Sequence, residues 1–405
     1  MSSASHPVLR AGPGLGDLSP VRAALAALIA VSLVGGVWHL SSQPGSGKLS
    51  LSLLFGALFG FVLQRSRFCF ACHWRDLLDR GDPRGVLAIL AALAVALAGT
   101  TAVIGGWLPD PSGTRLPPDA HIGPVGPVLV LAGLAFGAGM AISGSCISAH
   151  LYRLGEGSPT APFALLGTAI GFVLAFQTWN PLYLASVSDA PVLWLPRFLG
   201  YGGALALGLG VLAAAALWLI YARPVAPASP APDPLHAVFL NRWPAWLGGI
   251  AVGAIATIAY LRVGPLGVTA EIGSRSRQVA GSLGLLPARL EGLDTFRGCA
   301  TLVRDALLTP NGLFVTGLVL ASFGAALLAG QFRPERPRTG HVARGLAGGV
   351  LLGWGAMTGL GCSIGTLLSG ISAGAASGWV FAVTMFGGAT LTTALGRRVR
   401  LLPGS

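Results

Sequence analysis

Five cysteines are spread through the 405 residues, at Cys69, Cys72, Cys146, Cys299 and Cys362, and each follows or interrupts an apolar run. An odd number in a chain of this length does not make a disulfide framework, so each thiol needs its own account. A thiolate is a costly charge in low dielectric, and a thiol in apolar surroundings stays protonated. The neutral S–H is a weak donor. Weak donors in series suit a path, because a permeant must bind well enough to enter and poorly enough to leave. The stretches concerned are Arg65-Ser66-Arg67-Phe68-Cys69-Phe70-Ala71-Cys72-His73, Ser143-Gly144-Ser145-Cys146-Ile147-Ser148, Phe296-Arg297-Gly298-Cys299-Ala300-Thr301 and Gly359-Leu360-Gly361-Cys362-Ser363-Ile364. Gly and Ser around Cys146 and Cys362 mark places where a helix breaks. Backbone N–H groups at the N-terminus of a broken helix add positive dipole. Arg67 and Arg75 add positive field near Cys69. The permeant implied is a small anion able to interact with sulfur.

The elements that must hold these thiols lie in a membrane. Only 10% of residues are charged, 53% are hydrophobic and mean hydropathy is +0.72. That composition excludes an ordinary soluble enzyme, a disordered chain and a secreted disulfide scaffold. Sixty glycines in such a chain suggest closely packed membrane helices. The net charge of +12 comes from basic residues lying between apolar runs. Topology and anionic lipid headgroups account for them, and no nucleic-acid partner is expected.

Apolar periodicity predicts about ten hydrophobic helices: 21–40, 49–66, 85–107, 127–143, 158–178, 197–222, 243–262, 312–330, 343–360 and 376–396. Residues 345–396 carry no charge, yet a single span needs only about 20 residues. Two spans with a re-entrant or broken segment between them are expected there, and non-helical backbone at that depth must be buried in protein or line a cavity. With the N-terminus inside, most basic residues fall on the inner side.

The chain also repeats itself. At an offset of 216, Gly133, Gly137, Gly139 and Cys146 meet Gly349, Gly353, Gly355 and Cys362, and a weaker echo pairs Gly56 and Gly60 with Gly249 and Gly253. An odd number of spans separates the two cysteines, so the copies would insert upside down relative to each other, the usual build of secondary transporters. The expected division is an N-terminal tail and extra apolar segment (1–48), a first transmembrane repeat (49–222), a linker (223–242) and a second repeat (243–405).

The Arg-Ser-Arg-Phe-Cys stretch, Gly-Ser-Cys followed by Leu151-Tyr152-Arg153-Leu154-Gly155-Glu156-Gly157, and Gly-Leu-Gly-Cys-Ser-Ile-Gly resemble the YeeE/YedE-like sulfur-compound transporters over roughly residues 50–396. The resemblance implies an all-α inner-membrane permease, not an enzyme, that imports thiosulfate or a related sulfur anion without a cofactor. It implies a path along Cys69, Cys146 and Cys362, supported by Arg67, Gly144, Ser145, Gly361 and Ser363. It also implies a small TusA-like sulfur-carrier protein as partner on the cytoplasmic side. Cys72 and Cys299 are extra to that three-thiol path.

Other chemistry competes for the first cluster. Cys69-Phe70-Ala71-Cys72-His73 fits the c-type haem pattern, but attachment requires the outer side and a second axial ligand that nothing singles out. Cys69, Cys72 and His73 could instead bind a soft metal or cycle as a dithiol. No P-loop, H-E-x-x-H or G-x-S-x-G is present.

Overall fold

The computed structural model describes residues 19–223, 238–296, 306 and 308–398. Fourteen helices carry the architecture. In the first half they are α1 (Pro20–Ser42), α2 (Gly47–Ser66), α3 (Phe70–Arg80), α4 (Arg84–Trp107), α5 (Pro127–Ser143), α6 (Ile147–Gly155) and α7 (Ala161–Leu182). The second half has α8 (Leu195–Ala222), α9 (Ala245–Arg262), α10 (Ala270–Ser282), α11 (Pro310–Leu328), α12 (Thr339–Thr358), α13 (Ser363–Ser372) and α14 (Ala376–Arg398). Among the described residues only two isolated β-bridges occur and no strand. Nine helices there are long and apolar enough to cross a membrane, or ten when the pair α12 and α13, bent by 43°, counts as one span. The protein is an all-α, multi-pass membrane protein, and its ten long helices coincide with the ten apolar runs of the sequence. The long helices are apolar around most of their circumference, as lipid-facing helices must be. α1, for example, exposes Val21, Leu28, Val31, Val34 and Trp38.

Four short helices, α3, α6, α10 and α13, do not cross. Each follows a long helix and sits among the others. The packing has an internal exchange symmetry. α2 lies on α11 and α9 lies on α4; α5 lies on α14 and α12 lies on α7; α5 and α12 meet each other at the centre. Exchanging α2 for α9, α4 for α11, α5 for α12 and α7 for α14 reproduces these pairs. α1 on α11 and α8 on α4 obey the same exchange.

Glycine makes the close approaches possible, and the repeat-related glycines do the same work in each half. A Cβ on Gly56 or Gly60 would collide with the carbonyls of Phe314 and Leu318 on α11, and one on Gly249 or Gly253 with those of Ala88 and Ala92 on α4. Gly137 meets the carbonyl of Met385, while Gly349 and Gly353 meet those of Ala164 and Thr168. In lipid, where apolar burial does not distinguish protein from solvent, such backbone contact is a principal source of helix association.

Gly60→Val should therefore remove the protein from the folded fraction. Overpacking costs about 1–3 kcal/mol where side chains can give way, and here the obstacle is backbone. Gly106→Val is the control, since nothing lies within 4 Å of that position. Size-exclusion chromatography after detergent extraction should show a monodisperse peak for Gly106→Val and an aggregated or missing one for Gly60→Val.

Candidate functional site

Three of the four short helices begin on a cysteine. Cys69 is the N-cap of α3, Cys146 of α6 and Cys362 of α13. A second regularity precedes each. The residue two positions before the thiol has left-handed backbone: Arg67 (φ 52°), Gly144 (φ 84°) and Leu360 (φ 60°). That turn stops the long helix and reverses the chain so that the cysteine opens the next. Glycine takes the turn freely at Gly144. At Arg67 and Leu360 a side-chain-bearing residue adopts it at a cost of about 1–2 kcal/mol. Backbone strain of this kind gathers at sites that need a particular geometry. Gly361, between that turn and the thiol, serves another purpose: a Cβ there would press on Thr366.

The thiols are sealed from solvent, with Cys69 1% exposed, Cys146 and Cys362 0% and Cys72 7%. The Cys69 and Cys146 side chains lie within electrostatic reach of each other. Cys146 Sγ meets Ser148 Oγ at 3.3 Å. Cys362, at the head of α13, makes no side-chain capping bond and lies within electrostatic range of Cys146. The structure thus brings Cys69 and Cys146 together and sets Cys362 beside them, each at the positive end of a short helix. Ser145 lies 3.9 Å from Cys72 Sγ, and Ser363 is buried with no hydrogen-bond partner for its hydroxyl among the described residues.

Cys72 belongs to the cluster more closely than the sequence suggests. Its Sγ is 2.6 Å from Cys69 Sγ, and Cys69 Sγ accepts from the Cys72 backbone N–H at 3.2 Å. The Arg153 guanidinium donates to Cys72 Sγ at 3.2 Å, while its Nε has no partner among the described residues. Arg153 is the cation at the thiols, a role sequence reasoning missed. The available signal was its place on α6, seven residues or two helical turns after Cys146. Arg67 is engaged elsewhere, in an ion pair with Glu156 at 3.6 Å that ties the end of α2 to the end of α6. Arg65 is wholly buried and structural: it donates to Gln64 Oε1 at 2.6 Å and to the carbonyls of Phe239 at 2.8 Å and Leu240 at 3.2 Å. Cys299 lies outside the described residues.

His73 does not complete a ligand set. Its ring stands edge-on to Phe68, with centroids 5.7 Å apart, and lies against Gly85. Among the described residues no group of three His, Cys, Asp or Glu side chains is placed to hold a metal ion.

The thiols lie between two unequal cavities. At one face a cavity of about 430 Å³ is lined by Arg75, Arg80, Arg344 and Arg397 with Asp76 and Asp79, and it reaches Ala71, one residue before Cys72, and Gly144, two residues before Cys146. Asp79 is paired with Arg397. At the opposite ends of α5, α12 and α14 a cavity of only about 20 Å³ is lined by His121, Leu360, Thr366 and Ser377.

Broken helices within a polytopic bundle, bearing polar groups at their N-termini and flanked by cavities on two faces, define a membrane transporter. The sequence profile of the family described as Sulphur transport matches residues 65–391, and the chain belongs to that family. It is 30% identical over 348 residues to the thiosulfate transporter TsuA of Spirochaeta thermophila, covering 82% of this chain and 94% of that one. It is 27% identical over 354 residues to the thiosulfate transporter TsuA of Escherichia coli, covering 82% and 90%. A probable transporter of E. coli, YedE, is 28% identical over 204 residues, half of this chain and 48% of its own.

Proposed function

We propose that the protein imports thiosulfate, or a sulfur anion of very similar shape, across the inner membrane. The anion passes Cys362, then Cys146, then Cys69, held at each step by a neutral S–H and by backbone N–H groups. The observation that carries this is the placing of three buried thiols at the N-caps of three broken helices, each two residues after a left-handed turn. S–H donors are weak enough to release a soft sulfur terminus. Unpaired buried donors, such as Arg153 Nε, are what a transient anionic ligand would satisfy.

The excess of basic residues on the face with the large cavity supports reading that face as cytoplasmic. Cys72 and Arg153 then stand at the inner exit. The Arg75, Arg80 and Arg344 vestibule is where a TusA-like carrier protein would collect the anion. Because α1 packs on α11 as α8 packs on α4, we read α1 and α8 as counterparts in the two halves.

Uptake of ³⁵S-thiosulfate by cells lacking other importers tests this. Wild type should accumulate label, and equally expressed Cys362→Ala should not. Absence of uptake by wild type present in the membrane would sink thiosulfate as permeant.

A further inference from the structure

The fourth short helix, α10, occupies in the second half the place that α3 occupies in the first. Its N-cap is not a thiol but Thr269. The exchange that sends α2 to α9 and α6 to α13 sends Cys69 to Thr269 and Cys146 to Cys362. Side-chain contact follows the same exchange: Cys69 meets Cys146, and the Thr269 hydroxyl faces Cys362. Four helix N-termini therefore face one another, three bearing S–H and one bearing O–H.

Thr269 is not explained by capping. A threonine at this position ordinarily accepts from its own helix at the second or third N–H. Here the side chain makes no such bond. The residue is 0% exposed, and its Oγ1 makes no well-formed hydrogen bond to any described residue. The one carboxylate in the first turn of α10, Glu271, is bound by Arg275 Nε at 2.7 Å and by Thr309, so it leaves Thr269 alone. A fully buried hydroxyl that does not cap its own helix and lies close to a path thiol is a donor awaiting a ligand. One residue after Cys362, the Ser363 hydroxyl is buried and unpartnered in the same way.

We infer that Thr269 is a specificity-determining contact of the permeation path, binding an oxygen of the sulfonate end of the anion while Cys362 holds the sulfur terminus. The inference rests on the function proposed above and deepens it. A hydroxyl is a harder and stronger donor than a thiol, and it suits oxygen as S–H suits sulfur. Placing one of each side by side distinguishes the two ends of an anion that has both. The station at Cys69 and Cys146, two thiols, makes no such distinction.

The test compares Thr269→Val, which keeps shape and removes the hydroxyl, with Thr269→Ser, which restores it. Purified proteins are titrated with sodium thiosulfate and followed by thermal shift, and ³⁵S-thiosulfate uptake is measured in cells. A hydrogen bond to an anion is strong enough that its loss should raise the apparent Kd and KM about tenfold or more. Thr269→Val should show that rise with a normal melting temperature in the absence of anion. Thr269→Ser should match wild type. Wild-type Kd and KM in Thr269→Val, with wild-type uptake intact, would overturn the assignment of Thr269 and leave the permeant standing. A lowered anion-free melting temperature in Thr269→Val, with Thr269→Ser equally impaired in binding, would make Thr269 a packing residue and overturn it too. No thiosulfate binding or uptake by wild type would overturn both readings together.

Discussion

Cys146→Ala should reduce thiosulfate uptake to the background of empty cells while leaving the amount and monodispersity of the protein unchanged. Cys146 is the central thiol: it lies within electrostatic reach of Cys69 on one side and of Cys362 on the other. Removing it leaves the anion without a station between them. The cost to folding is small, about 1 kcal/mol for one deleted atom whose neighbours are already well packed. Cys146→Ser refines the test. A hydroxyl binds more strongly than a thiol, which deepens the central well and slows exit. Uptake by the serine variant should be intermediate in rate, with KM no higher than wild type. If Cys146→Ala transports at the wild-type rate, the relay is wrong.

The second large effect is expected at Arg153. Arg153→Gln keeps much of the length and a hydrogen-bonding head but removes the charge that sits 3.2 Å from Cys72 Sγ. Hydrogen bonds to charged groups contribute about 1.5–3 kcal/mol, so the apparent affinity for a dianion should fall about 10–100-fold. Arg153→Lys should recover only part of it, because an ammonium lacks the planar fork that donates at Nε and Nη2 together. Initial rates of ³⁵S-thiosulfate uptake over a range of concentrations separate the outcomes. A fall confined to KM supports a binding role at the exit, whereas unchanged kinetics in Arg153→Gln would reduce Arg153 to a structural tether of Cys72.

Most of the architecture is legible in the sequence because membrane burial writes itself in long uncharged runs. The ten spans and the break between α12 and α14 follow from hydropathy and span length. The glycine echo of Gly56 and Gly60 with Gly249 and Gly253 is legible too, and both pairs prove to seat a neighbouring backbone. The short helices are harder to see. α10 contains Glu271, Arg275 and Arg277 and has no apolar run, since it is held among other helices rather than against lipid. The left-handed turns at Arg67 and Leu360 are invisible because neither residue type prefers that conformation, and tertiary packing imposes it. Arg153 escapes because its partner, Cys72, is 81 residues away. Thr269 escapes because a symmetry between cysteines directs attention to cysteines.

The small cavity beneath Leu360 and Thr366 has a consequence for the energy economy of the cell. About 20 Å³ holds little more than one water molecule, and the Cys146 and Cys362 thiols are closed off from solvent. A continuous file of water would carry protons and discharge the transmembrane voltage, which is worth about 2.3 kcal/mol per charge at 100 mV. A bundle packed this closely around its thiols would hold that voltage while it moves its substrate.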